Sequence, residues 1–196
     1  MRRSAGGRFQ LDTPVGSVLA GKTLGLVGLG RIGARVASYG NALGMTLLAW
    51  SENLTDARAA AAGASRVDKQ TILAQSDVLS VHLVLSERTR GVICADDIAR
   101  LKRGAILVNT SRAPLIDEDA LIAAAKAGKI IAALDVYEHE PLPVGHPLLS
   151  CPNTVLTPHL GYSVAEVYRV FYTQCIENAL AHLDGAPIRV LADQAR

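Results

Sequence analysis

The stretch from Thr23 to Gly33 constrains this chain more than any other. Leu24 to Val27 form an apolar run that ends at once in Gly28-Leu29-Gly30-Arg31-Ile32-Gly33, and apolar residues at helical spacing follow from Ile32 to Tyr39. In a chain with 17 glycines the triplet alone arises by chance; the strand, glycine turn and helix around it, in that order, make it a dinucleotide site. Gly28 permits the tight turn, Gly30 lets backbone approach a pyrophosphate, and Gly33 lets helix pack closely on strand. The phosphates are expected at the helix N-terminus beside Arg31 and Ile32, where unpaired N–H groups and the positive end of the helix dipole favour an anion.

Composition narrows the surroundings of that turn. Hydrophobic residues make up 49% of the 196 positions but aromatics only 4%, which suits parallel strands buried on both faces under alanine-rich helices. Few aromatics and a net charge of +2 argue against a nucleic-acid partner, which calls for stacking platforms or a concentrated basic face. Cys94, Cys151 and Cys175 are too few and too far apart for a disulfide framework or a metal cluster. No apolar run reaches the roughly 18 residues of a membrane span, and no signal-peptide core precedes the first strand. A cytoplasmic protein with reduced thiols, and with no membrane or nucleic-acid partner, is the expectation.

Residues 1–20 read as a polar, Pro/Gly-punctuated lead-in, residues 21–162 as a dinucleotide-binding domain, and residues 163–196 as a long helix and tail. Within the domain, helices are expected over about 31–43, 55–62, 68–75, 95–102 and 117–127. Strands are expected over about 24–27, 45–50, 64–67, 77–83, 105–109, 130–134 and 154–156. Asn53 or Thr55 caps the second helix, and the segment holding Pro141, Pro143, Pro147 and Pro152 is expected to be loop. Strands alternating with helices specify right-handed crossovers, hence an α/β Rossmann-type doubly wound parallel sheet of about seven strands with a long C-terminal helix. Ligands of such sheets collect beyond the carboxyl ends of the strands.

Three of those ends carry polar groups. Arg112, after Asn109-Thr110-Ser111, offers a fork for a carboxylate, although a lone loop arginine is more often simply solvated. Asp135-Val136-Tyr137-Glu138-His139-Glu140-Pro141 offers four ionisable side chains, and Thr157-Pro158-His159-Leu160-Gly161 holds a histidine between a proline and a glycine. A carboxylate beside that histidine fixes its tautomer and leaves the other ring nitrogen to move a proton; sequence alone does not identify the carboxylate. His139, His146 and His159 match no usual metal-ligand spacing, and no metal is expected.

These motifs together carry a resemblance. Gly-Leu-Gly-Arg-Ile-Gly at 28–33, Val-Asn-Thr-Ser-Arg at 108–112, Asp-Val-Tyr-Glu-His-Glu-Pro at 135–141 and Thr-Pro-His-Leu-Gly at 157–161 stand in family order. From about Leu19 to Leu191 the chain resembles the cofactor-binding domain of the D-isomer-specific 2-hydroxyacid dehydrogenases. The resemblance implies that Arg112 binds and polarises a small 2-oxo acid, that His159 is its general acid and base, and that Glu140 pairs with His159. It also implies cofactor contacts from Gly28, Gly30, Arg31, Ile32, Gly33, Ser51, Glu52, Asn53, Leu83, Thr110, Ser111, Asp135, His159 and Gly161. A different class remains open beside it, a dinucleotide-sensing interaction module without catalysis, because the family's fold also resembles nicotinamide-sensing transcriptional co-repressors.

Two departures qualify the resemblance. Ser51 stands where NAD-using members usually carry a ribose-binding aspartate, which leans toward NADP, while Glu52 pulls toward NAD; Arg31, Arg58 or Arg66 are the candidate phosphate partners. Full-length members also carry an N-terminal segment that builds most of a substrate domain, and this chain begins roughly where that segment ends. A truncated form, weakly active or inactive alone, is therefore expected, with an uncovered apolar helix face that a homodimer would bury.

Overall fold

A computed structural model describes residues 16–191. Seven strands form one all-parallel sheet in the order β3-β2-β1-β4-β5-β6-β7. They are β1 (Thr23–Val27), β2 (Thr46–Trp50), β3 (Ser65–Arg66), β4 (Val78–Val81), β5 (Ala105–Asn109), β6 (Ile130–Leu134) and β7 (Thr154–Leu156). The helices are α1 (Arg31–Ala42), α2 (Asp56–Ala61), α3 (Lys69–Gln75), α4 (Ala95–Arg100), α5 (Glu118–Lys126), α6 (Pro147–Ser150) and α7 (Ala165–Leu183). The chain steps outward from β1 to β3 and returns to lay β4 beside β1, so the direction of winding reverses between those two strands. That reversal opens the crevice in which such sheets hold ligands.

Residue parity along the strands shows how both faces are covered. Leu24 and Leu26 of β1 and Leu47 and Ala49 of β2 cluster with Ala37 of α1 and Ala59 of α2. The intervening Val27 and Leu48 belong to a larger cluster with Leu79, Leu107 and Ala132, packed by Ile72 of α3, Ile98 of α4 and Leu121 of α5. Successive strand residues face opposite ways, so α1 and α2 lie on one face and α3, α4 and α5 on the other. Each fully buried leucine or isoleucine here contributes about 1.5–3 kcal/mol.

Local chemistry sets the helix ends. Thr55 is the cap of α2, accepting from the Arg58 N–H at 3.3 Å, while Asp68 and Asp117 cap α3 and α5 from 2.7 and 3.0 Å. One sequence expectation needs correction: the proline-rich segment is not wholly loop. Pro147 occupies the first helical position, where its missing N–H costs nothing, and His146 Nδ1 accepts from the Leu148 N–H at 3.3 Å, so residues 147–150 make the turn of α6. A 3-10 turn over Ala113–Leu115 also escaped the sequence pattern. The expected lead-in falls, apart from residues 16–20, outside the described residues, as do residues 192–196. Helix α7 buries none of its residues and leaves Val170, Phe171, Tyr172, Ile176 and Leu180 each more than half exposed. Among the described residues no helix is long and apolar enough to cross a membrane.

Candidate active site and cofactor crevice

The glycine turn is built as its sequence requires. Gly28 has φ +98, and a Cβ there would stand 2.7 Å from the carbonyl oxygen of His82, just past the neighbouring strand β4. A Cβ on Gly33 would fall 2.2 Å from the Gly28 oxygen, so α1 seats against the turn only because that position is bare. Gly30 differs: a Cβ there meets no protein atom within 4 Å. Protein packing does not demand that glycine, and it leaves open space above a helix start that no side chain caps. Exposed Arg31 and Ile32, the latter 67% exposed, flank the same opening. A bare backbone, uncapped N–H groups and a helix N-terminus form a cradle that fits a pyrophosphate.

Beyond the end of β2, Ser51, Glu52 and Asn53 share a hollow of about 730 Å³ with Leu83 from the loop after β4. Trp50, at the end of β2, and Val84, Arg88 and Thr89 line it as well. Arg31 and Arg58 open instead on a separate hollow beside Gly30, and Arg66 lies 3.5 Å from Asp56.

At the end of β5, Asn109 is 1% exposed and brackets the following turn. Its Nδ2 donates to the Arg112 carbonyl at 2.9 Å, and its Oδ1 accepts from the Ser111 N–H at 3.0 Å. The Ser111 hydroxyl donates to the Leu83 carbonyl at 3.0 Å, tying the turn after β5 to the loop after the neighbouring β4. Thr110 and Arg112 are exposed; the guanidinium reaches only the Ser111 carbonyl, at 2.7 Å, and makes no ion pair among the described residues.

The ends of β6 and β7 meet. Glu140 Oε2 lies 2.7 Å from His159 Nδ1, while Glu140 Oε1 accepts from the Tyr137 N–H at 2.9 Å. The bond to His159, reinforced by the Tyr137 N–H, holds the Glu140 carboxyl below its ordinary range. Asp135, 6% exposed, fixes the segment that bears the histidine. It accepts from the Thr157 hydroxyl, from the Leu160 N–H at 2.8 Å and from the Gly161 N–H at 3.0 Å. Burial raises the Asp135 pKa, but those three donors outweigh it and the carboxyl stays below its ordinary range. His159 itself takes a left-handed backbone, φ +52, and its ring meets the edge of Tyr162 at 5.7 Å between centroids.

With Nδ1 facing a carboxylate, the imidazole keeps a fixed tautomer and its Nε2 is left to exchange a proton. The histidine, a free arginine and a phosphate cradle thus lie along one edge of the sheet.

Comparison with known proteins matches residues 2–161 to the family model "D-isomer specific 2-hydroxyacid dehydrogenase, NAD binding domain". The chain belongs to the D-isomer-specific 2-hydroxyacid dehydrogenases. It is 41% identical over 175 residues to the D-3-phosphoglycerate dehydrogenase of Bacillus subtilis, covering 89% of this chain and 33% of that protein. It is 40% identical over 172 residues to the glyoxylate reductase of Aeropyrum pernix, covering 87% and 51%. The crystal structure of a phosphoglycerate oxidoreductase from Vibrio cholerae superposes with a TM-score of 0.83 at 40% identity, over 88% of this chain and 56% of that one. The chain thus spans between a third and somewhat over half of these relatives' lengths.

For this dehydrogenase-family chain, sequence reasoning gave no role to several residues of the site. Asn109 and Thr157 act through hydrogen bonds that only the assembled strand ends create. Arg88 and Thr89 sit in a polar loop with no periodicity, and Tyr162 lies three residues past His159, where nothing in the motif draws notice.

Proposed function

We propose that this chain binds a nicotinamide dinucleotide along the carboxyl edge of its sheet and interconverts a small 2-oxo acid with its 2-hydroxy acid. The observation that carries this reading is the His159–Glu140 pair, 2.7 Å apart, at the same sheet edge as the uncapped glycine turn. Gly28, Gly30, Arg31, Ile32 and Gly33 would receive the pyrophosphate. Ser51, Glu52, Asn53 and Leu83 would receive the adenosine half, and Thr110, Ser111, Asp135, His159 and Gly161 the nicotinamide half. The dinucleotide, when bound, supplies or accepts the hydride at the substrate's second carbon.

The protein's own groups do the rest. Arg112, uncommitted to any carboxylate of the described residues, binds the substrate carboxylate as a fork and polarises the neighbouring carbonyl. His159 donates a proton to the oxygen during reduction and takes it back during oxidation. Glu140 keeps the imidazole oriented and balances its charge when it is protonated.

Within this reading residues 21–162 form the cofactor domain and residues 163–196 an appended helix and tail. Arg112 and Glu140 are exposed and His159 is more than a third open, so water reaches the reacting groups; the 196-residue chain should bind cofactor well and turn over weakly by itself. The apolar face of α7 supports a homodimer, and three free thiols suit the cytoplasm. Ser51 at the ribose position tilts cofactor choice toward NADP.

The test is an assay of glyoxylate, hydroxypyruvate and phenylpyruvate with NADH and NADPH, with sedimentation to give the oligomer. Slow turnover that His159→Asn abolishes supports the reading. Absence of both turnover and dinucleotide binding overturns it.

A further inference from the structure

The hollow beyond β2 contains a cation that the glycine motif does not call for. A 2′-phosphate entering this hollow brings close to two negative charges beside the Glu52 carboxylate, so it needs a cation within reach. Of the three arginines that sequence suggests, two open elsewhere and the third is already paired. Arg31 and Arg58 line the separate hollow beside Gly30. Arg66 lines a third hollow with Trp50, Ser51 and Glu52, but its guanidinium already faces the Asp56 carboxylate at 3.5 Å.

Arg88 lines the larger hollow with Ser51, Glu52 and Asn53. It has no carboxylate within 4 Å among the described residues. Its attachment is fixed even though its side chain is exposed. Thr89 Oγ1 accepts from the Ser86 N–H at 2.8 Å and donates to the Val84 carbonyl at 2.8 Å, and the Arg90 N–H closes the turn on the Ser86 carbonyl at 2.9 Å. An unpaired guanidinium on a pinned turn, in the same hollow as a neutral serine, matches the planar multi-oxygen geometry of a phosphomonoester.

We infer that Arg88, which shares the hollow with Ser51, is the group that receives the 2′-phosphate of NADP and sets cofactor preference in this chain. The inference rests on the dinucleotide reading above and adds to it the source of the positive charge. Because the phosphate is the only part of NADP that NAD lacks, Arg88 should act on one cofactor and leave the other nearly alone.

Trp50 is the chain's single tryptophan and lines this hollow, so quenching of its fluorescence reports binding directly, without turnover. NADPH and NADH are titrated into the wild-type chain, Arg88→Ala, Arg88→Lys and, as a control on the other hollow, Arg58→Ala. Removing one charge-assisted contact should weaken NADPH by about tenfold or more and NADH by less than about threefold, with partial recovery in Arg88→Lys and no selective change in Arg58→Ala. Equal losses for both cofactors would make Arg88 an adenine-packing residue and overturn the inference. NADPH preference that survives Arg88→Ala would overturn it while leaving NADP as the cofactor. A wild-type chain that prefers NADH overturns both the NADP lean and Arg88's role, and one that binds neither overturns the dinucleotide reading itself.

Discussion

Asp135 holds the backbone N–H of Leu160 at 2.8 Å, and this bond anchors the residue after His159 while the imidazole turns away to Glu140. The donors around Asp135 favour its charged form and keep its folded-state pKa below the unfolded value. Its contribution is therefore fully present above the unfolded carboxyl pKa of about 3.9 and is lost as pH falls through the lower folded value. Asp68, Asp77, Asp97 and Glu140 are held down in the same direction. Urea midpoints should thus drop as pH falls below about 4, and the drop should be shallower in Asp135→Asn, which keeps one acceptor oxygen but no charge. Parallel acid limbs in the two proteins would show that Asp135 is not held as its contacts require.

A second window lies nearer neutrality. His82 follows β4, and its Nε2 lies 2.9 Å from the Ser80 hydroxyl. Burial disfavours the imidazolium and lowers the His82 pKa. The unfolded chain therefore takes up this proton first. Stability from the neutral ring is complete above the unfolded value of about 6.5 and declines as pH falls toward the lower folded one. Chemical denaturation between pH 7.5 and 5.5 should show that decline in the wild-type chain and less of it in His82→Gln. A difference between the two that does not vary with pH would mean the ring titrates alike in both states.

The backbone of His159 dictates how its role should be probed. At φ +52 an alanine would retain the left-handed strain of about 1 kcal/mol, whereas asparagine is tolerated there. His159→Asn should keep the wild-type melting temperature and bind dinucleotide within about threefold, yet lose about 100-fold or more of any turnover, the usual worth of a positioned acid–base group. Full turnover in this variant would assign the proton transfer to another group.

Much of this arrangement was legible in the sequence because it is local. Leu24 to Val27 followed by the glycine turn, and Asp117 ahead of Leu121 and Ile122, each declare an element and its end within a few residues. The pairing of Glu140 with His159 was not legible from the residues themselves. They lie 19 positions apart, and only the β6–β7 register, Leu134 beside Leu156, brings their loops together. Family resemblance supplied that pair before geometry did. The role of Asn109 was hidden for a related reason: its two bonds depend on how the chain turns after β5, and an asparagine at a strand end carries no period. The turn of α6 hid behind its prolines, since one of them initiates the helix it was expected to prevent.

Gly30 and Gly33 are two glycines of one motif with opposite demands, and alanine separates them. At Gly33 the new methyl would meet the Gly28 carbonyl at 2.2 Å, so α1 must shift away from the turn. Gly33→Ala should therefore lower stability by about 1–3 kcal/mol, the range for overpacking a tight site, and weaken dinucleotide binding as a consequence. At Gly30 the methyl enters open space, and an alanine in place of glycine at a helix N-cap costs about 1 kcal/mol or less. Gly30→Ala should remain close to wild type in thermal unfolding but lose dinucleotide affinity, because the space it fills belongs to the ligand. Trp50 fluorescence titration beside a melting curve separates these outcomes. Unaltered affinity in Gly30→Ala would mean that no ligand backbone comes close to this turn, and would remove the cradle from the site.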